Sequence, residues 1–418
     1  MTTVSPREPG RSGSWADHRD GPFPCLDAFR ALAAAAVVAA HVAFWTGRGS
    51  QGPFAATLAR LDVGVAIFFV LSGFLLFRPW ASAACRDASH PSTVSHPDTA
   101  GYLWRRALRI LPAYWLVVVA CLLFLPDNAD QRGALDWFRH LTLTQVYGLG
   151  WQRHGLTQTW SLCTEVAFYL ALPLLAVIVL GKTGWHPRAA LAALSAALVV
   201  SVGWHLIVGQ WELDARVAGQ WLPGYLGWFA AGMAMAVVSV QIQHRSGPAG
   251  SRWRLVDEVA AAPWACWVAA AAFLAVAATP LAGPRDLASP TGGQAVAKNL
   301  LYLAVAVLVL LPGIFGPQHE GVTRRLLSSR PAQWLGEISY GVFLWHLFAL
   351  EGVVRLLDLE LFTGSWTQVF VLTWAGSACL AAASYYLLER PILRRRDTIR
   401  RLGSRLRSTP ARETAHSA

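Results

Sequence analysis

The chain has 418 residues, of which 55% are hydrophobic and only 14% charged, well below the roughly 25% charged share of an ordinary soluble domain. Its formal net charge of +11 would suit a polyanion partner. However, Lys182 and Lys298 are the only lysines, and the arginines gather in alternate polar segments, which is the signature of membrane topology and excludes a nucleic-acid surface as the leading reading.

Residues 1–24, rich in Pro, Gly, Ser and charge, read as a disordered leader ahead of a membrane domain over 25–390. A basic tail follows over 391–418. The apolar stretch Ala31–Ala40 resembles a signal-peptide core, but it follows a long leader containing Asp17, Asp20 and Asp27 and further spans continue after it, so it is taken as the first span. Runs near the ~20 residues needed to cross a bilayer occur at 26–46, 63–80, 107–126, 160–180, 189–209, 221–241, 260–280, 296–315, 333–354 and 366–388. The expected fold is therefore an all-α polytopic membrane protein of about ten transmembrane helices. With the N-terminus in the cytoplasm, 25 Arg and Lys fall in cytoplasmic segments and 9 in outer ones, with Arg30 inside the first span. That asymmetry places both termini in the cytoplasm and the protein in the cell inner (plasma) membrane as a multi-pass protein. The basic tail fits a topology anchor touching anionic lipid. The longest outer loop is 127–159. The six cysteines form no CxxC pair and are expected to pack rather than bind metal.

Charges inside spans are costly, so they are functional candidates by default. In the first span Arg30 and His41 are eleven residues apart. On a helix rising ~1.5 Å per residue that is ~16 Å along nearly the same face. A snorkelling arginine and a structural histidine explain the pair equally well at this point. The second span carries Phe68-Phe69-Val70-Leu71-Ser72-Gly73-Phe74, whose small residues are sufficient for close helix packing. Arg105, Arg106 and Arg109 precede Ile110-Leu111-Pro112-Ala113-Tyr114-Trp115 at the cytoplasmic edge. They satisfy the positive-inside rule and also suit phosphate groups. Glu165, in Trp160-Ser161-Leu162-Cys163-Thr164-Glu165, is predicted at the depth of His41 and is expected to pair with it. His346, in Ile338-Ser339-Tyr340-Gly341-Val342-Phe343-Leu344-Trp345-His346, is predicted in mid-membrane. Glu389, in the closing Glu389-Arg390-Pro391, is predicted at the cytoplasmic edge.

Taken in order, these segments resemble the integral-membrane acyltransferase 3 family, from about residue 26 to 394. Each motif is weak alone, but six in order are specific. The resemblance implies ten spans and transfer of an acyl group, often acetyl, from acyl-CoA to a hydroxyl, usually on a sugar. It makes Arg30 and His41 the essential pair and places Arg106 and Arg109, with Arg105, on the acyl-CoA side. Ser72 and Glu389 join them by position. No bound cofactor or metal is expected, acyl-CoA being a co-substrate, and no protein partner is inferred. The esterase extension that some members carry is not expected after the tenth span.

In this reading His41 takes the proton of the acceptor hydroxyl. Glu165 orients His41 or holds the acceptor. His346 supplies an oxyanion contact or helps bind the acceptor. Direct transfer and an acyl-histidine relay stay open, as does the acceptor: a surface polysaccharide or glycolipid, or a glycosylated secondary metabolite such as a macrolide antibiotic. The competing class is a transporter or flippase with a His/Glu proton relay.

Overall fold

The computed structural model describes residues 23–394, apart from 90–97, 132, 149–151, 182–183, 212–214, 245–250, 286–287 and 319. The expected leader before residue 23 and the tail after 394 lie outside the described residues. Lipid offers no hydrogen-bonding partner for an exposed backbone, so each apolar run must satisfy its own N–H and C=O groups, and a helix does so within one segment. Ten helices follow: α1 (Leu26–Trp45), α2 (Gly64–Ser89), α3 (Thr99–Phe124), α4 (Trp160–Leu180), α5 (Pro187–Val208), α6 (Leu222–His244), α7 (Pro263–Ala277), α8 (Gly292–Ile314), α9 (Arg330–Leu356) and α10 (Trp366–Ser384). The last continues through a π-helical turn over Tyr385–Glu389.

Nine of these helices, among the described residues, are long and apolar enough to cross a membrane. The protein is thus an all-α multi-pass membrane protein. The seventh expected span is the exception, because α7 has only 15 residues, or ~22 Å of helix. Two buried arginines show that its flanks still reach both ends of the bundle. At one end Arg324 donates to the carbonyls of Ala260, Pro312 and Phe315. At the other, Arg60 donates to those of Ala277, Gly283 and Pro284. Each guanidinium caps helix-terminal carbonyls that have no partner within their own helix.

Local sequence explains several starts. Proline opens α5 and α7, where a missing N–H costs nothing. Thr291 and Gln294 form a reciprocal capping box at the start of α8, with Gln294 N donating to Thr291 Oγ1 at 3.3 Å and Thr291 N to Gln294 Oε1 at 3.0 Å. Two boundaries differ from expectation. The helix expected from 107 begins at Thr99, and the one expected to end at 80 runs on to Ser89. Arginine favours helix and can project its charge past the apolar layer, so hydropathy alone cuts these helices short.

Helices α2, α6 and α9 form the centre, with about 70% of each apolar window buried, whereas α5 and α10 bury 22% and lie at the periphery. Large apolar side chains such as Leu170, Leu174 and Ile178 on α4 and Val199 and Ile207 on α5 face outward, as lipid requires. The small residues of the Ser-Gly motif do pack. A Cβ on Gly73 would stand 2.1 Å from Phe229 O of α6, and one on Gly232 would stand 2.0 Å from Val70 O of α2. Only glycine permits that mutual approach. Phe69 then stacks on Phe229 at 4.5 Å between ring centroids. The six cysteines are free, five of them buried, and no cluster able to hold a metal occurs among the described residues.

The expected outer loop is a folded cap over the far end of the bundle. Its short helix Ala134–Leu141 is tied down by Tyr114 Oη to His140 O at 2.6 Å, by Trp115 Nε1 to Leu141 O at 3.0 Å and by the buried Arg153–Asp136 pair.

Candidate active site

The site begins on α1, whose face carries Arg30 near one end and His41 near the other. His41 meets His346 of α9. Their ring centroids are 4.9 Å apart, and His346 Nε2 lies 3.4 Å from His41 Nδ1. His41 Nδ1 also lies 2.9 Å from Val37 O, and His346 Nδ1 lies 2.7 Å from Phe343 O. A carbonyl only accepts, so in the neutral rings both Nδ1 atoms carry the proton. His346 Nε2 is then an acceptor facing the His41 Nδ1–H, and the lone pair of His41 is left on Nε2. This is the tautomer a general base or nucleophile needs, and it is held by the backbone of its own helix and by a second imidazole.

Glu165 does not partner His41. Its carboxylate accepts from Ser72 of α2 and, at 2.7 Å, from Tyr169 one turn further along α4. The expected pairing fails for a reason of depth. In the turn before α4, at Thr157–Thr159, Gln158 and Thr159 are buried, and Gln158 Nε2 donates to Leu344 O at 2.8 Å. That places Gln158 beside α9 at about the level of the histidine pair. Glu165, seven residues on, is ~10 Å deeper. It belongs instead with the arginines, since Arg106 and Arg30 both act electrostatically on it.

A cavity of about 130 Å³ collects these groups: Arg30, Arg106 and Arg109 with Ser72, Glu165 and Tyr340 line it. Arg30 is braced by Asp27, Nη1 to Oδ1 at 2.7 Å. Arg106 Nε is buried and has no hydrogen-bond partner among the described residues, an unsatisfied charged donor of the kind a ligand would relieve. Arg105 is not among the lining residues, nor is Glu389. Glu389 is buried behind the cavity, where it accepts from Ser384 at 3.5 Å and interacts electrostatically with Arg109.

A second cavity, of about 320 Å³, opens at the His41 end. Val65 lines both cavities. Asp62, just ahead of α2, is its central charged group: Lys298 Nζ donates to Oδ2 at 2.7 Å and Tyr302 donates to Oδ1. His205 and Asn299 converge on one carbonyl, with His205 Nε2 and Asn299 Nδ2 each 3.0 Å from Gly224 O. The sequence reading missed this cluster. Arg60 and Lys298 fall among the nine basic residues of the outer segments, and Asp62 lies at the very edge of its span. The available signal was Lys298 with Tyr302 four residues on, one helical turn apart, in a chain with two lysines.

Neither histidine lines either cavity, but each is linked to one through a neighbour. The His346 ring packs on Phe343, which lines the arginine cavity, at 5.8 Å. His41 is within electrostatic reach of Asp62, which lines the other.

Comparison with known proteins agrees with this architecture. A family model described as "Acyltransferase domain" matches residues 23–387. Nodulation protein 10 of Rhizobium leguminosarum bv. viciae is 23% identical over 92% of this chain and 96% of its own length. A putative peptidoglycan O-acetyltransferase of Bacillus subtilis is 25% identical over 88% of this chain, which spans only 55% of that protein. An exopolysaccharide production protein of Rhizobium meliloti is 23% identical over 79% of this chain and 89% of its own length. No solved structure matches. The family match covers nearly all of the helical bundle and both histidines of the central pair, and the chain belongs to the acyltransferase 3 family of multi-pass membrane acyltransferases.

Proposed function

We propose that the protein transfers an acetyl or other short acyl group from acyl-CoA to a hydroxyl of a sugar-containing acceptor, a surface polysaccharide or glycolipid, in the cell inner membrane. The observation that carries this is the His41–His346 pair, linked through Phe343 to an arginine-lined cavity and through Asp62 to a second, larger one. The 25-to-9 distribution of basic residues puts the Arg30 end in the cytoplasm, where acyl-CoA is made. Arg30, Arg106 and Arg109 supply guanidinium donors for its phosphates. The ~16 Å between Arg30 and His41 is within the ~15–20 Å of an extended pantetheine arm. The acceptor approaches from the other cavity. The relatives support the same reading, one being named a putative peptidoglycan O-acetyltransferase and another an exopolysaccharide production protein.

In the reaction, His41 Nε2 takes the proton from the acceptor hydroxyl as that oxygen attacks the thioester carbonyl carbon. The new C–O bond forms and the C–S bond breaks. The departing CoA thiolate takes the proton from the imidazolium, which returns His41 to its starting tautomer. His346 Nε2, accepting from His41 Nδ1–H, holds the ring in register while the charge develops. Glu165, bonded to Ser72 and Tyr169, shapes the donor cavity and offers an acceptor to the amide N–H groups of the pantetheine arm.

The test is transfer of labelled acetyl from acetyl-CoA to membrane glycoconjugates in vesicles containing the protein. His41→Ala should lower the rate by about 100-fold or more, the range for loss of a general base. Normal transfer by that variant would remove the proposed role.

A further inference from the structure

We infer that the cavity at the His41 end is an acceptor subsite built for an uncharged sugar ring, and that the Asp62–Lys298 pair is the device that keeps it so. This rests on the acyl-transfer reading above and names the substrate class of that same site. One wall is a continuous run of aromatic rings. Trp160 and Tyr225 have centroids 5.3 Å apart, Tyr225 and Trp228 4.7 Å, and Trp228 and Tyr302 6.3 Å, the last nearly parallel at 29°. All four line the cavity. Ring faces of this kind receive the C–H face of a pyranose, and the volume of about 320 Å³ is at the lower end of small-molecule pockets.

The charged groups are already consumed by the protein. Both carboxylate oxygens of Asp62 are bonded, one by Lys298 and one by Tyr302. The Lys298 ammonium is held on Asp62 and also lies 5.0 Å from the centroid of the Tyr302 ring. Arg60 is 2% exposed and spends its guanidinium on three carbonyls at the end of α7 and the turn beyond, where the negative end of the helix dipole offsets its charge. A carboxylate or phosphate entering here finds no unpaired cation to repay its desolvation, and an ammonium finds no unpaired carboxylate. A neutral hydroxyl can hydrogen-bond to Lys298 or Asp62 without breaking the pair, whereas a carboxylate would set a second negative charge beside Asp62. Asp62, within electrostatic reach of His41, thus borders the subsite where the reacting hydroxyl must lie.

The experiment compares a neutral methyl hexoside with the matching methyl hexuronoside as acceptors, using vesicle-reconstituted protein and labelled acetyl-CoA. The wild-type protein should favour the hexoside in kcat/KM by about tenfold or more, the scale expected for burying a charged group without its partner. Asp62→Asn releases the Lys298 ammonium and should narrow that ratio by about tenfold, and the double variant Asp62→Asn, Lys298→Met should restore the preference. The inference is overturned if the wild-type protein accepts the hexuronoside as well as the hexoside, a comparison that needs no variant to fold. It is equally overturned if the ratio is the same in wild type and Asp62→Asn. Absence of acetyl transfer to any acceptor, with no consumption of acetyl-CoA, would instead sink the acyl-transfer reading.

Discussion

The two cavities that share Val65 handle charge in opposite ways. In the one beneath His346, Arg106 keeps a buried donor with no partner among the described residues, beside Arg30 and Arg109. In the other, Asp62, Lys298 and Arg60 are each bonded to the protein itself. Under the acyl-transfer reading proposed above, the free Arg106 Nε–H is the donor that suits a phosphate. Spent charge behind aromatic walls prepares a place for a polar but uncharged ring. The difference lies in what the hydrogen bonds of each charged group are used for, since each cavity contains acidic and basic side chains alike.

That contrast can be broken most sharply at Arg106. Arg106→Ala should raise KM for acetyl-CoA by about 10–100-fold, the loss of one charge-assisted contact, and leave KM for the acceptor unchanged. A change confined to the acceptor would reverse the assignment of the two ends. Next in size is the histidine pair linked to both. His346→Ala should lower kcat by about tenfold with both KM values little altered, and His346→Gln should recover part of it, because a glutamine Oε1 can accept from His41 Nδ1–H. If alanine and glutamine were equally damaging, a positioning role through that hydrogen bond would be untenable.

Arg60 tests whether its charge is structural. Arg60→Ala leaves three carbonyls without a donor and should destabilise the protein by about 2–4 kcal/mol, read as a fall in thermal midpoint in detergent, while Arg106→Ala should not. The smallest effect expected concerns acidity at the capped end. His140 is fully buried, its Nδ1 lies 2.8 Å from Asp136 O, and its Nε2 has no partner among the described residues. Burial pushes its pKa below the ordinary value of 6.5, with Arg153 adding to the fall against the opposing effect of the Asp136 carbonyl and carboxylate. The folded cap therefore binds fewer protons than the unfolded one. Its stability is intact above pH ~6.5 and is lost progressively below it. Acceptor KM should rise a few-fold as pH falls through that window, with KM for acetyl-CoA steady. A pH-independent acceptor KM in wild type, or the same dependence in His140→Phe, would separate the cap from the acceptor site.

Much of this was legible in one dimension. Apolar runs of about 20 residues dictate helices, because lipid leaves the backbone no other partner, and the asymmetry of arginine orients them. Eleven residues between Arg30 and His41 put both on one face of one helix, since 3.6 residues per turn is a local rule. What periodicity cannot supply is the vertical offset between helices. Glu165 and His41 stand at similar distances from the ends of their own helices, yet the turn that buries Gln158 and Thr159 lowers α4 until the carboxylate joins Ser72 and the arginines. The same offset leaves His346 as the partner of His41. Nor can composition show which charges are already spent. Arg60, Lys298 and Arg106 are all basic residues near span ends, and only the carbonyls, carboxylate or open cavity that the fold sets before each one decides whether it holds a loop, neutralises an aspartate or keeps a donor free.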